Sequence, residues 1–344
     1  LVSYKFIRKI NFKKNPFMRI IIWTITIVVL SWSAYWMIGA KSIKAELLAS
    51  VQNINSEDWS IEYSDSVVKG FPYRFDLTIN NLKVKNKKNY LTWTLPYFQI
   101  LSLSYAPKDL ILVWPKEQEI KTKTKTISLI SNKMLASIER TNISSYDISK
   151  FILEVEGVNI KSSKELVLQS KSIILAISKL KAETSAYKFG LNSTGLLVQS
   201  SDQSFYGLIG LLNTNSLSLN INADVYIDTL LRVTEKKAYP KITKLNLKEI
   251  SIHSKDLTLA ALGDLETDKQ GFPEGDIQLK ISGWKQFLST INSTDINKKI
   301  VESLAFLSIL SGNQNDLTLD LKIRERKIFL GPLILGNIPK QLIQ

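Results

Sequence analysis

Phe75-Asp76-Leu77-Thr78-Ile79 places an apolar side chain at every second position, and that alternation decides the fold. Successive side chains of a β-strand point to opposite faces, so a period of two marks a strand with one buried and one wetted face. The same pattern appears at Trp59, Ile61 and Tyr63, at Leu101, Leu103 and Tyr105, and at Leu110, Leu112 and Trp114. It resumes at Leu153–Ile160, Ile173–Ile177, Leu217–Ile227, Leu245–Ile252, Leu257–Leu265, Ile277–Ile281, Leu317–Ile323 and Ile328–Leu335. Gly70, Pro72, Asn80, Asn81, Pro96, Pro107 and Pro115 read as turns between strands. Strands of ordinary length give about 15 in all. The expected architecture is mainly β, an extended, curved antiparallel sheet with a few helices.

Upstream of the strands lies Ile20–Ala40, 21 residues without a charge. As a helix it reaches about 31 Å, close to the roughly 30 Å hydrocarbon thickness of a bilayer. Residues 20–40 therefore read as one transmembrane helix whose partner is the lipid bilayer. Six basic residues and no acidic ones precede it (Lys5, Arg8, Lys9, Lys13, Lys14 and Arg19), so residues 1–19 form a cytoplasmic tail by the positive-inside rule. Trp32, Tyr35 and Trp36 stand near the outer end, where amphipathic rings prefer the headgroup level. A cleaved secretory signal is the competing reading, since Ile20–Leu30 has the length of a signal's apolar region and Ser31 and Ser33 are small. The uncharged run continues past those serines, which favours the anchor. On this topology residues 59–344 form a β-rich domain on the outward side of the membrane.

Between anchor and sheet, Ile43, Leu47, Val51 and Ile54 form one apolar stripe, which predicts a juxtamembrane amphipathic helix over residues 41–58. Helical spacing also appears at 205–212, 228–237, 284–291 and 296–310, and a subdivision of the domain is expected near 200–240. Lys121 to Thr126 alternates Lys and Thr and reads as an edge strand guarded by charge. Gly70-Phe71-Pro72 and Gly271-Phe272-Pro273 each precede a strand, as a tight turn or as the trace of a duplicated unit.

Charge and chemistry narrow the function. The net charge of +14 suits an anionic lipid surface. Nucleic acid is not expected as a partner, because no basic stripe interleaves with aromatics. The chain has no cysteine, hence no disulfide and no thiol-linked lipid. His253 is the single histidine, too few for a histidine metal site. Ser66-x-x-Lys69 and Ser185-x-x-Lys188 match a loose acyl-transfer spacing without its companion motifs, and Asp264, Glu266 and Asp268 fit no calcium-loop template. No catalytic, cofactor-binding or metal-ligating residue is therefore assigned, and an enzyme is not expected.

The order of motifs resembles a known family. An anchor ending in aromatics and Gly39-Ala40 is followed by Gly70-Phe71-Pro72-Tyr73-Arg74-Phe75, then by Leu101-Ser102-Leu103-Ser104-Tyr105 leading to Trp114-Pro115. The chain closes with Phe329-Leu330-Gly331-Pro332-Leu333 and Leu335-Gly336. Together these resemble the bacterial family of domain of unknown function 2125, found mainly in alphaproteobacteria. That resemblance implies a membrane-anchored envelope protein with no catalytic residues to carry over. A fainter, fold-level likeness is to AsmA-like envelope proteins, whose sheets curve into lipid-holding troughs. Two functions follow as expectations: binding or shuttling of phospholipid in envelope maintenance, or a non-enzymatic scaffold for envelope protein partners.

Overall fold

The helix α1 (Pro16–Ile54) carries the chain out of its apolar run and onto the edge of a large β-sheet. The computed structural model describes residues 16–55, 58–141, 147–163, 167–180, 185–199, 216–229, 241–255, 257–268, 270–284 and 316–338. The stretch read as spanning helix and the stripe of residues 41–54 are one unbroken helix, as expected where no Pro or capping sequence intervenes. The helical segments expected at 205–212, 296–310, and all but the first residues of 228–237 and 284–291, lie outside the described residues.

Among the described residues eighteen strands form one sheet. They are β1 (Trp59–Glu62), β2 (Asp65–Lys69), β3 (Arg74–Asn86), β4 (Leu91–Leu103), β5 (Ala106–Val113) and β6 (Glu117–Lys121). Next come β7 (Thr126–Ile130), β8 (Lys133–Arg140), β9 (Ile148–Ser162), β10 (Val167–Lys179), β11 (Ala186–Gln199) and β12 (Leu217–Ile227). The last are β13 (Ile242–His253), β14 (Thr258–Thr267), β15 (Pro273–Ser282), β16 (Asp316–Arg324), β17 (Lys327–Leu330) and β18 (Leu333–Asn337).

All pairings are antiparallel, and short strands stack end to end along long ones. β1 and β2 share one side of β3, whose other side pairs with β4. β5 and β6 share the far side of β4, and β8 and β7 continue those two lines to β9. From β9 to β18 each strand pairs with the next in the chain. Fifteen strand lines spaced at about 4.8 Å make a sheet roughly 65 to 70 Å across. β11, β12 and β13 pair directly, so the sheet is continuous through the region of the expected subdivision.

A crease of irregular positions crosses the strands of the first half. Asn81 takes φ 50° inside β3, opposite Pro96 inside β4. The crease continues through Trp114–Lys116 between β5 and β6, and Ser131–Asn132 between β7 and β8. It reaches Gly157 in β9 and Gly195 in β11, both left-handed at φ 60° and 64°. The broken lines stay hydrogen-bonded, Trp114 N to Met134 O at 3.1 Å, Ser131 N to Lys116 O at 2.8 Å and Asn132 N to Glu156 O at 2.9 Å. At these irregular positions the alternation slips by one in both partners while the register is kept, so the buried set in β3 passes from Phe75, Leu77 and Ile79 to Leu82. Irregular positions aligned across neighbouring strands bend a sheet without breaking its ladder.

Several expectations need correction here. Asn80, Asn81, Pro96 and Pro107 are not turns between strands but lie within β3, β4 and β5. Pro96 is tolerated because the left-handed Asn81 across from it breaks the regular pairing. Lys121 to Thr126 is not an edge strand: Lys121 ends β6, Thr126 starts β7, and Thr122 N donates to Lys125 O at 2.8 Å across the hairpin. Ile328–Leu335 is two strands, β17 and β18, turned back by Gly331-Pro332. Strands β2, β6, β7, β8 and β11 were not anticipated. The Gly70-Phe71-Pro72 turn is as expected: Gly70 takes φ 103° and Arg74 N donates to Gly70 O at 2.8 Å.

Candidate functional site

Alternation across so many aligned strands sorts the side chains into two faces, and one face is apolar from end to end. A single cross-strand row runs Leu77, Ile100, Leu112, Ala136, Leu153, Leu175, then Leu191, Ile221, Ile250, Ala261, Leu279 and Leu319, each directly paired with the next. A flanking row runs Leu110, Ile138, Phe151, Ile177, Phe189, Ala223, then Leu247, Gly263, Ile277, Leu321, Leu330 and Leu333. On the other side Val155, Ile173, Ser193, Leu219, Ile252, Leu259, Ile281 and Leu317 form a third. The first row alone is about 50 Å long, more than three times the roughly 15 Å hydrocarbon depth of one leaflet.

The stripe is core at both ends and at positions between them, where Ala136, Val155, Ala223 and Leu247 are buried, the last two in a cluster with Leu265 and Ile323, while much of its middle is only half-covered. At the first end Leu77, Ile79, Leu82 and Leu95 are buried in a cluster with Ile43 and Leu47 of α1. Toward the other end Leu217, Leu257, Ile281, Trp284, Leu317 and Leu319 form a second cluster. Between them Leu153, Leu175, Leu191, Ile221 and Ile250 are half-buried. Among the described residues α1 is the helix packed on the sheet, and it touches β1, β2 and β3.

Helix and sheet meet at a cleft of ≈ 290 Å³. Ile43, Leu47, Phe75, Leu77, Ile100 and Leu110 give it an apolar floor, while Glu46, Ser50, Ser102 and Arg140 add polar groups. The first and second rows of the stripe therefore start in this cleft, at Leu77 and Leu110. Below it the helix is bolted to the sheet by three aromatic side chains. Trp32 Nε1 donates to Pro72 O at 3.1 Å, Tyr35 Oη to Ser104 O at 2.6 Å and Trp36 Nε1 to Arg74 O at 2.8 Å. Trp36 stacks on Phe75 at 5.8 Å between ring centroids and meets Phe71 edge-on at 5.5 Å.

The opposite face is polar. Lys85 pairs with Glu62, Lys133 with Glu154 and Glu156, Lys150 with Glu139 and Lys244 with Glu266. The two carboxylates beside Lys133, Glu156 first, raise its pKa, and Glu266 does the same for Lys244. Ile111, Ile174 and Leu262 are exposed apolar exceptions on this side.

The residues weighed for chemistry are dispersed. Ser66 lies opposite Ile79 and Lys69 opposite Asp76, so a strand sends them to opposite faces. Ser185 precedes β11, and Lys188 pairs across from Asp224. His253 ends β13 with Nδ1 3.2 Å from Thr258 Oγ1. Asp264 accepts from Asn246 Nδ2 at 2.6 Å and Glu266 from Lys244 Nζ at 2.9 Å. Asp268 instead closes the turn before Gly271-Phe272-Pro273, accepting from the Gln270 and Phe272 amides at 2.8 Å each. The Phe272 amide above all holds the Asp268 carboxyl below the usual carboxylate range, helped by the other turn amides and the Arg326 charge. Among the described residues no group of three His, Cys, Asp or Glu side chains is placed to hold a metal. Sequence reasoning expected a curved sheet with an apolar face but named no residue of the stripe, because what aligns them is the register between strands rather than any one motif.

No curated protein matches the chain, and no solved structure does. The fainter likeness to AsmA-like proteins thus draws no support from these comparisons. The model of a family described as an uncharacterized protein conserved in bacteria, domain of unknown function 2125, matches residues 36–339, from Trp36 in α1 past the end of β18, and the chain belongs to that family.

Proposed function

We propose that this protein is a membrane-anchored lipid-handling component of the bacterial cell envelope, in which the apolar stripe of the sheet receives phospholipid acyl chains from the bilayer. In this reading α1 crosses the inner membrane, residues 1–19 stay cytoplasmic and the sheet stands in the periplasm. The observation that carries it is continuity: apolar rows about 50 Å long start in a cleft walled by the very helix that is apolar enough to span a membrane. A stripe wetted along its length would be unfavourable by about 25 cal/mol per Å², whereas acyl chains would cover it without needing a polar partner.

Retention of the helix is part of the proposal. Such a helix near an N-terminus is equally compatible with a signal sequence. Cleavage at Ser31–Ser33 would, however, separate Trp32 or its helical support from the Pro72 carbonyl it bonds. The aromatic bolts of α1 favour an anchor that stays.

Site-specific photocrosslinking in cells tests the function on the full chain. A benzophenone side chain at Leu191 or Leu279, on the stripe, is expected to yield phospholipid adducts. The same group at Lys188 or Gln278, on the polar face, is expected to yield none. A discrete protein adduct at Leu191 and Leu279 would instead favour the scaffold, and no adduct at all would remove the lipid reading.

A further inference from the structure

We propose that the two turns beside the anchor, 70–74 and 104–106, form an aromatic rim that sinks into the bilayer leaflet from which α1 emerges. This inference deepens the lipid-handling reading, because the rim would place the mouth of the cleft among the lipids themselves.

The argument starts from the match between helix and strand. Trp32 bonds the carbonyl of Pro72, and further up Ile43 lines the cleft with Leu77. The eleven helical residues between Trp32 and Ile43 rise about 16 Å, and the five strand residues between Pro72 and Leu77 rise about the same. α1 and β3 therefore climb side by side in one direction. Gly39 sits against the ring of Phe75, so the end of the uncharged run at Ala40 is level with the start of β3. The turn bonded to Trp32 and Trp36 is then four to eight helical residues lower, about 6 to 12 Å toward the bilayer.

A second turn is held at the same depth. Tyr35 Oη bonds Ser104 O, while Ser104 N and Oγ both donate to Tyr73 O, at 2.8 and 3.0 Å. The tips of these two turns present Phe71, Tyr73 and Tyr105, which are 55%, 67% and 67% exposed. In water these would be three large rings each more than half exposed. At the headgroup level an aromatic ring with one polar end is in its preferred medium. Lys69 and Lys108, both exposed, follow just behind the tips, where cations meet phosphate. The occupant fitted by this surface is the phospholipid interface.

The chain has no cysteine, so single cysteines can be placed at will. Phe71→Cys, Tyr73→Cys, Tyr105→Cys and the polar-face control Leu262→Cys, each carrying an environment-sensitive fluorophore, would be examined in full-length protein reconstituted in vesicles of phosphatidylethanolamine and phosphatidylglycerol. Nitroxide lipids labelled near the headgroup are expected to quench the three tip positions at least about twofold more than position 262. Equal, water-like emission at all four positions overturns the rim. Since Phe71 also packs on Trp36, Phe71→Cys tests helix docking as well as immersion, so Tyr73 and Tyr105 decide the matter. The two proposals fail separately. Immersed tips with no lipid adduct at Leu191 would keep the rim and remove the trough, and adducts at Leu191 with dry tips would do the reverse.

Discussion

The indole Nε1 of Trp36 donates a 2.8 Å hydrogen bond to the carbonyl oxygen of Arg74, 38 residues further along the chain. That carbonyl belongs to the first residue of the strand whose next side chain, Phe75, stacks on the same indole. One aromatic residue thus fixes both the height and the rotation of the helix against the sheet.

Gly39, three residues on, makes this approach feasible. A Cβ built there would stand 2.6 Å from Phe75 Cζ, and the Phe75 ring is itself buried. Gly39→Val is expected to push helix and sheet apart at a cost of about 1–3 kcal/mol, the usual range for overpacking. Denaturant unfolding of the full chain in detergent would show the loss. Protease cleavage within residues 41–55 should rise in parallel.

Asn81 governs the crease. Its φ of 50° is a left-handed conformation that asparagine tolerates and a β-branched residue does not, and its Nδ2 donates to Ser64 Oγ at 3.2 Å. Asn81→Val is expected to destabilise the protein by about 1–2 kcal/mol, whereas Asn81→Gly should change stability far less. Paired denaturant midpoints for the two variants check this order.

The strand at Phe75–Ile79 was legible because three apolar residues in alternation leave little choice of period. Its continuation through Leu82 was not, because Asn80-Asn81 carries the composition of a turn while Asn81 is a left-handed kink within a ladder. Pro96 misled for the same reason, since its missing N–H matters only where the partner strand supplies a regular acceptor. β11 was hidden by Gly190, Gly195 and polar residues, and it is held in place by pairing to β10 and β12 on both sides. The aromatic residues at 32–36 were read as a headgroup belt. That they also bond to turns some 40 to 70 residues away is a tertiary fact that local sequence does not carry. The stripe itself depends on register, which hairpin turns and bulges set together.

Asp268 predicts a pH response confined to one turn. Its carboxylate accepts two amide hydrogen bonds, so its folded pKa lies below the ordinary value of 3.8. A lowered carboxylate pKa stabilises the fold above the unfolded-chain value, and the contribution is lost as pH falls through the folded value. The Phe272 amide is therefore expected to stay protected from solvent exchange at neutral pH and to lose protection only below about 3.8. Asp268→Ala should abolish the protection at every pH. Amide exchange measured by mass spectrometry on the intact protein separates the two outcomes.

The half-buried middle of the stripe should behave unlike its buried end. Leu95, only 1% exposed, belongs to the cluster under α1, and Leu95→Ala is expected to cost about 2–5 kcal/mol as a cavity. Ile221 lies midway along the first row, between Leu191 and Ile250. Ile221→Glu places a charge where an acyl chain would have to pass, and a desolvated carboxylate is strongly disfavoured. If lipid enters at the cleft and moves along the stripe, this variant should keep phospholipid adducts at Leu112, on the near side, and lose those at Leu279, on the far side. Unchanged adducts at both positions would mean that lipid reaches the far strands without travelling along the row.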